Sequence, residues 1–406
     1  MYALMLALIP AAPPDIGAVP FAVTSAADNR PVGKLLRLDS EFAATITTRL
    51  GDVTVKDVVS LRRENRSLPA FPTKPHLVTT MGDRIVGDLL GGGESLRFAP
   101  SILRLKAGDA WLVPLSNAAA VWLTDTPADT PTDANRYAWT DGNKNRDVFR
   151  FRNGDTARGI LVNLRDEGRN LELEFKPDGR DEARTVGAKE LTAITFNPAL
   201  ARSRKPKGPF AHVVLTDGSR LDVTTPTIAA GILKGETLFG QKVELPLDCV
   251  VSLDVFQGKA VYLSDLKPKK VEQAGFLGVA WPWAADRTVH GAQLRLTLPA
   301  GETAFDKGLG THPKTVLTYD LAAKYRRFEA VVGLDPDGGV HGRAVVRVLV
   351  DGKEQPIAGL AMLAAGNAVA VRVDVSGAKE LVLEVGFGPA GGVGADVNWA
   401  DARLVE

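Results

Sequence analysis

The sequence predicts an all-β protein, and three observations carry that reading. Helical periodicity is scarce. Short alternating runs bounded by Gly, Asp and Pro are frequent, which is the pattern of half-buried strands joined by turns. The first 256 residues also repeat one style of strand ending four times.

The chain opens on "MYALMLALIPAAPPD", an apolar stretch of signal-peptide length followed by small residues and prolines, without a positively charged start. Residues 1–26 are read as an export leader, which places the protein outside the cytoplasm, extracellular or periplasmic. The stretch is too short to span a bilayer, and no later segment reaches the ~20 apolar residues a span requires.

Residues 27–256 carry the repeat. "VTVKDVVSL" (53–61), "VPLSNAAAV" (113–121), "VGAKELTAI" (186–194) and "LPLDCVVSL" (245–253) each run apolar, spacer, polar turn, apolar strand. Hairpin signals with Gly-Asp or Asp-Gly turns stand upstream of the last three: "TMGDRIVGDL", "FRNGDTARGIL" and "LTDGSRLDVTT". Spacings of about 60 to 70 residues are too irregular for a solenoid. Curled sheets of about five strands in series, similar in pattern to SH3-like or Sm-like barrels, fit best. A Pro/Asp/Thr-rich linker (124–145) interrupts them, with Trp139 expected to dock it on a neighbour. The lone cysteine, Cys249, sits in an apolar run and is expected to be a buried thiol.

A lysine-proline stretch near 257–275 marks the main domain boundary, and residues 257–406 read as a second strand series. In "AVAVRVDV" Val369, Val371, Val373 and Val375 share one face, opposite Ala370, Arg372 and Asp374. "AVVRVLVDGK" (344–353) alternates likewise and ends in an Asp-Gly turn.

Composition bounds the partners. With 49 basic against 48 acidic residues and a net charge of +1, nothing favours nucleic acid or an anionic membrane. No His-Glu-x-x-His, Gly-x-Ser-x-Gly, phosphate loop or paired cysteines appear, so no catalytic residue and no cofactor is assigned. "LDPDGG" (334–339) opens like a calcium loop but lacks the downstream ligands, so a tight turn is expected and a structural calcium is unsupported.

The C-terminal third carries several motifs in fixed order: Asp286-Arg287, Lys307-Gly-Leu-Gly-Thr-His312, Tyr319-Asp320-Leu321, Val332-Gly333-x-Asp335, Asp351-Gly352 and Trp399-Ala-Asp-Ala402. In that order they resemble the NPCBM family of carbohydrate-binding modules, over roughly residues 262–406. The resemblance implies an antiparallel β-sandwich of galactose-binding-like, jelly-roll fold and a non-catalytic module binding galactose-type sugars. The chain departs from the family at His312-Pro313, where His-Ala is usual. It departs again in "GFGPAGGVGADVNWADA", where Asp396 is the only acid before Asp401.

Sugar recognition needs an aromatic face for the C–H side of the ring and polar groups that fix hydroxyl positions. Trp281 and Trp283 are the candidate platforms; Asp286, Arg287, His312 and Asp335 are the candidate donors and acceptors. Two further readings stay open: His312 as a packed loop staple, and Asp286-Arg287 as an internal ion pair. At the level of the chain, glycan binding by a module on a β-repeat scaffold stands beside a structural protein of the cell envelope. An enzyme with its site in the repeats is a third reading.

Overall fold

The computed structural model describes residues 20–103, 109–125, 138–166, 170–202, 206–274, 281–299, 301–389 and 391–406. The expected leader falls mostly outside the described residues, as does the middle of the 124–145 linker. The described chain is all-β, with short 3-10 helices and no helix long and apolar enough to cross a membrane.

Twenty strands before residue 257 form one sheet system in which a single pairing scheme recurs four times. Phe21–Ser25, Val32–Leu38, Ala44–Thr48, Gly51–Val55 and Val58–Arg63 pair in antiparallel sequence, and the fifth returns to the first. The second set is His76–Thr79, Arg84–Gly92, Ser95–Pro100, Trp111–Pro114 and Ala118–Trp122. The third is Asp147–Phe151, Thr156–Asp166, Leu171–Pro177, Arg184–Gly187 and Leu191–Thr195. The fourth is Phe210–Leu215, Arg220–Ala229, Ile232–Thr237, Lys242–Pro246 and Val250–Phe256.

In all four sets the pairing of first and fifth strands carries a register shift, the bend that lets five strands curl on themselves. A 3-10 helix leads into the fifth strand at Leu115–Asn117, Ala188–Glu190 and Leu247–Cys249. In the first set Asp57, at φ +51°, turns the same corner. These corners are the polar pairs of the repeated motif. Cys249 lies on one and is partly buried rather than buried, because it closes the 3-10 turn Leu247–Cys249 instead of lying in the apolar strand that follows. Fifth strands of the second and third sets pair with each other, as do those of the first and fourth. One apolar cluster runs from Phe21 to Val255, so the four sets share a core.

The second and fourth sets also meet through their first hairpin turns. Arg84 and Arg220 are bridge partners, and both guanidinium groups lie over Phe71, at 3.8 and 4.6 Å. The Asp222 N–H donates to Asp83 Oδ1 (2.9 Å), and the Val86 N–H donates to Ser219 Oγ (3.0 Å). Burial, reinforced by the Asp222 carboxylate, pushes the Asp83 carboxyl well above its ordinary range. The unfolded chain therefore loses this proton first as pH rises. Stability falls between the ordinary Asp value, about 4, and the raised folded one. Asp83→Asn removes that slope: the variant is expected to gain on wild type towards neutral pH and lose the advantage near pH 4. Urea midpoints of both chains across that range check it, and parallel profiles would exclude a buried neutral Asp83.

Residues 260–405 form the sandwich. One six-stranded sheet runs Ala284–Ala285, Gly308–Thr311, Val397–Val405, Arg327–Leu334, Val369–Asp374, with Ala260–Tyr262 also on Val397–Val405. The other runs Lys270–Gln273, Thr315–Asp320, Glu380–Phe387, Arg343–Val350, Lys353–Glu354, with Leu363–Ala364 on Arg343–Val350. Val371, Val373 and Val375 are buried while Ala370, Arg372 and Asp374 are exposed, as alternation predicts. Asp351 and Gly352 both take positive φ in the hairpin after Arg343–Val350, the geometry a two-residue turn demands. Trp399 is fully buried, its indole N–H donating to Thr311 Oγ1 (3.3 Å).

Candidate functional site

Strand ends from both sheets meet at one end of the sandwich. Gln273, Thr315 and Val385 lie side by side across three strands of one sheet, with Phe387 just beyond. In the other sheet, Gly308–Thr311 delivers His312 and the approach to Val397 delivers Asp396. Gln273, Thr315, Phe387, His312 and Asp396, together with Trp281 and Val393, line a cleft of about 510 Å³. The glycines at 308 and 310 sit in a strand, Gly308–Thr311, rather than in a turn. Gly308 and Gly310 allow close backbone approach: a Cβ on Gly310 would sit 2.5 Å from the Arg287 carbonyl oxygen.

Asp396 organises the polar side of the cleft. Its Oδ1 is 2.6 Å from His312 Nδ1 and its Oδ2 is 3.0 Å from His290 Nε2. A carboxylate only accepts, so the Nδ1 of His312 carries the proton of that bond and Nε2 is left uncommitted. The His312 ring meets Trp281 edge-on with centroids 4.8 Å apart. His312 is 9% exposed and Trp281 56%, so the histidine is a buried support and the indole an open face. The Gln273 side-chain N–H₂ donates to the Trp281 carbonyl at 2.6 Å, fixing the backbone beneath that face.

The other sequence candidates go elsewhere. Trp283, beside strand Ala284–Ala285, packs on the sandwich core. Asp286 takes φ +59° and accepts from Lys307 Nζ (2.6 Å) and from the Gly308 N–H (3.2 Å). Its ion-pair partner is therefore Lys307, not Arg287; Lys307 lies on the facing strand approach and also donates to Asp265 (2.6 Å). Arg287 is exposed and, with Asp286, lines a separate cavity towards the repeats. Asp335 is 3% exposed and caps the 3-10 helix Pro336–Gly338, its Oδ1 accepting from the Asp337 N–H (3.1 Å). Burial raises its carboxyl, and its backbone N–H donates to the Asp396 carbonyl (2.9 Å). It supports the site from below.

Gln273, His290, Phe387 and Asp396 were not singled out as ligand residues by sequence. The signal for Phe387 and Asp396 was the glycine-rich stretch between them, long enough to fold over a strand end. No grouping of three or more His, Cys, Asp or Glu side chains suited to a metal occurs among the described residues.

Several solved structures are similar to parts of this chain. A CBM51 domain from Clostridium perfringens GH95 in complex with methyl-galactose is 26% identical, over 36% of this chain and 99% of that one, with a TM-score of 0.33. The CBM51-2 and INT domains of C. perfringens ZmpB, in complex with GlcNAc, are 26% identical over 43% of this chain and 36% of theirs, with a TM-score of 0.33. Tandem CBM51 modules of a family 98 glycoside hydrolase from Streptococcus pneumoniae are 13% identical over 79% of this chain and 88% of theirs, with a TM-score of 0.32. No curated protein matches the chain. Residues 259–405, the stretch that forms the sandwich, match the family model of the NPCBM/NEW2 domain.

Proposed function

We propose that the chain is a secreted, non-catalytic protein that binds a galactose-type glycan in the Trp281 cleft, displayed on the β-repeat region. The observation that carries this reading is the exposed indole of Trp281 beside His312, which the Asp396 carboxylate holds in place. An aromatic face takes the C–H side of a pyranose, and a fixed ring nitrogen beside it reads one hydroxyl. A galactose ring has an axial 4-hydroxyl, which leaves one face a continuous C–H patch with its polar edge alongside. Phe387 and Val393 extend the apolar wall. The position of the repeats supports a display role. Ion pairs Arg220–Asp306, Arg62–Asp401 and Arg30–Glu329 tie repeat residues to the sandwich.

Trp281→Ala in the full chain is the test. Glycan-array binding by wild type should favour galactose-terminated glycans and vanish in the variant. Stability should change by no more than about 0.5 kcal/mol, since a half-exposed indole contributes little to the fold. Full binding by a folded Trp281→Ala chain would rule the cleft out. A folded wild type that binds no glycan would favour the envelope-structural reading.

A further inference from the structure

The cavity shared by Asp286 and Arg287 belongs to neither part of the chain alone. Its walls come from Met81–Arg84, from fourth-set strands bearing Phe210, His212 and Asp222, and from sandwich residues 286–287, 291–293 and 306–307. Its volume is about 330 Å³. That is the low end for a small-molecule site, room for one sugar ring rather than a chain.

Most charged groups around it are already matched. Arg220, 2% exposed, makes two bonds to Asp306 at 2.9 and 3.0 Å, and Lys307 is held by Asp265 and Asp286. His212 Nδ1 lies 2.6 Å from Asp222 Oδ1, with the His212 ring edge-on to Phe256 at 5.6 Å. What remains is a mixed set. Arg287 is exposed, and Asp83, 1% exposed, keeps an Oδ2 with no hydrogen-bond partner. The lining holds both donors and acceptors beside the rings of Phe71, Phe210 and Phe256. The carboxylates oppose a strong anion; the guanidinium groups and Lys307 oppose a cation.

We propose that this cavity is a second ligand site, built only when repeats and sandwich are joined, and that it takes a single neutral monosaccharide. Arg287 and the His212–Asp222 pair contact its hydroxyls, and Phe256 backs its apolar side. The site is independent of the Trp281 cleft and is read separately from it.

The test uses the full chain carrying Trp281→Ala, which silences the outer cleft, with D-galactose, D-glucose, D-mannose and N-acetyl-D-glucosamine as probes and glycerol as the polyol control. Binding is followed by the NMR signals of the His212 ring, assigned by their loss in His212→Gln. At least one monosaccharide should shift those signals, saturably, and glycerol should not. Arg287→Ala, an exposed position, should weaken that binding about tenfold, as for one charge-assisted hydrogen bond. The proposal is overturned if no sugar moves the His212 signals, if glycerol moves them as well, or if Arg287→Ala leaves the affinity unchanged. Loss of glycan-array binding in Trp281→Ala with His212 shifts intact separates this site from the cleft.

Discussion

Replacing Arg220 by alanine is expected to destabilise the folded chain by about 3–5 kcal/mol, the cost of stranding a buried charge. Arg220 joins the fourth strand set to the sandwich, and every polar atom of its guanidinium is used. Beyond its two bonds to Asp306 it donates to the carbonyls of Ala70 (3.0 Å), Gly218 (2.6 Å) and Pro69 (2.6 Å). Burial alone would raise the Asp306 carboxyl; the charge and hydrogen bonds of Arg220 more than reverse this and hold it below its ordinary value. Without Arg220 the carboxylate keeps, among the described residues, the Gln293 side-chain donor (2.8 Å), and three carbonyls lose a donor. By contrast Arg295, paired with Glu302 and Asp337 at a more exposed place, belongs to the class worth roughly 0–1 kcal/mol.

Two measurements check this. Urea unfolding should show the loss in Arg220→Ala, and Arg220→Met with Asp306→Leu should recover part of it, because the pair is then absent rather than broken. The pH profile adds a sign. A depressed carboxyl contributes stability above the ordinary Asp value and loses it as pH falls through the folded one. Wild type should therefore lose this contribution on acidification, and Arg220→Met with Asp306→Leu should not. An Arg220→Ala chain within about 1 kcal/mol of wild type would mean that the junction is solvated, not buried.

Local chemistry was legible in the sequence and long-range pairing was not. Alternation in "AVAVRVDV" identifies the buried valines because period two is a local property of a strand. The four strand endings could be stacked because each needs a polar corner before an apolar strand. The Gly-Leu-Gly stretch misled for the opposite reason. Glycines signal turns locally, yet here they are spaced to clear a neighbouring backbone, at the Trp399 carbonyl for Gly308 and the Arg287 carbonyl for Gly310. The site depends on bonds between residues far apart in sequence. His312 and Asp396 are 84 positions apart, and Arg220 and Asp306 are 86 apart. No motif links such pairs, so the sequence offers Asp286 only its neighbour Arg287 as an ion-pair partner, beside a sugar-contact reading, where the fold supplies Lys307. Trp281 and Trp283 looked equivalent because only the sandwich decides which indole is covered.

Gly310→Ala should remove glycan binding without touching a ligand atom. A Cβ there would lie 2.5 Å from Arg287 O and 2.8 Å from both Thr288 C and Val289 N. All three are backbone atoms, so no side-chain rotation relieves the clash. Strand Gly308–Thr311 is held on both sides, by Ala284–Ala285 and by Val397–Val405, so it cannot move away either. The 287–289 segment must shift, and His290 follows it. His290 is one of the two rings on Asp396, and the other, His312, lies two residues beyond Gly310. Both contacts that orient Asp396 are thus disturbed by one methyl group. Over-packing of this kind costs about 1–3 kcal/mol, and rigid backbone on every side places it at the upper end. Gly386→Ala is the control: its nearest neighbour would be Val345 Cβ at 3.7 Å, an ordinary contact. That variant should keep its affinity and match wild type or exceed it by up to about 1 kcal/mol, through reduced freedom of the unfolded chain. Melting curves and glycan titrations of the two variants separate the cases. If Gly310→Ala were as stable and as tight-binding as Gly386→Ala, the 287–289 segment would not support the site, and the link from glycine spacing to Asp396 would fail.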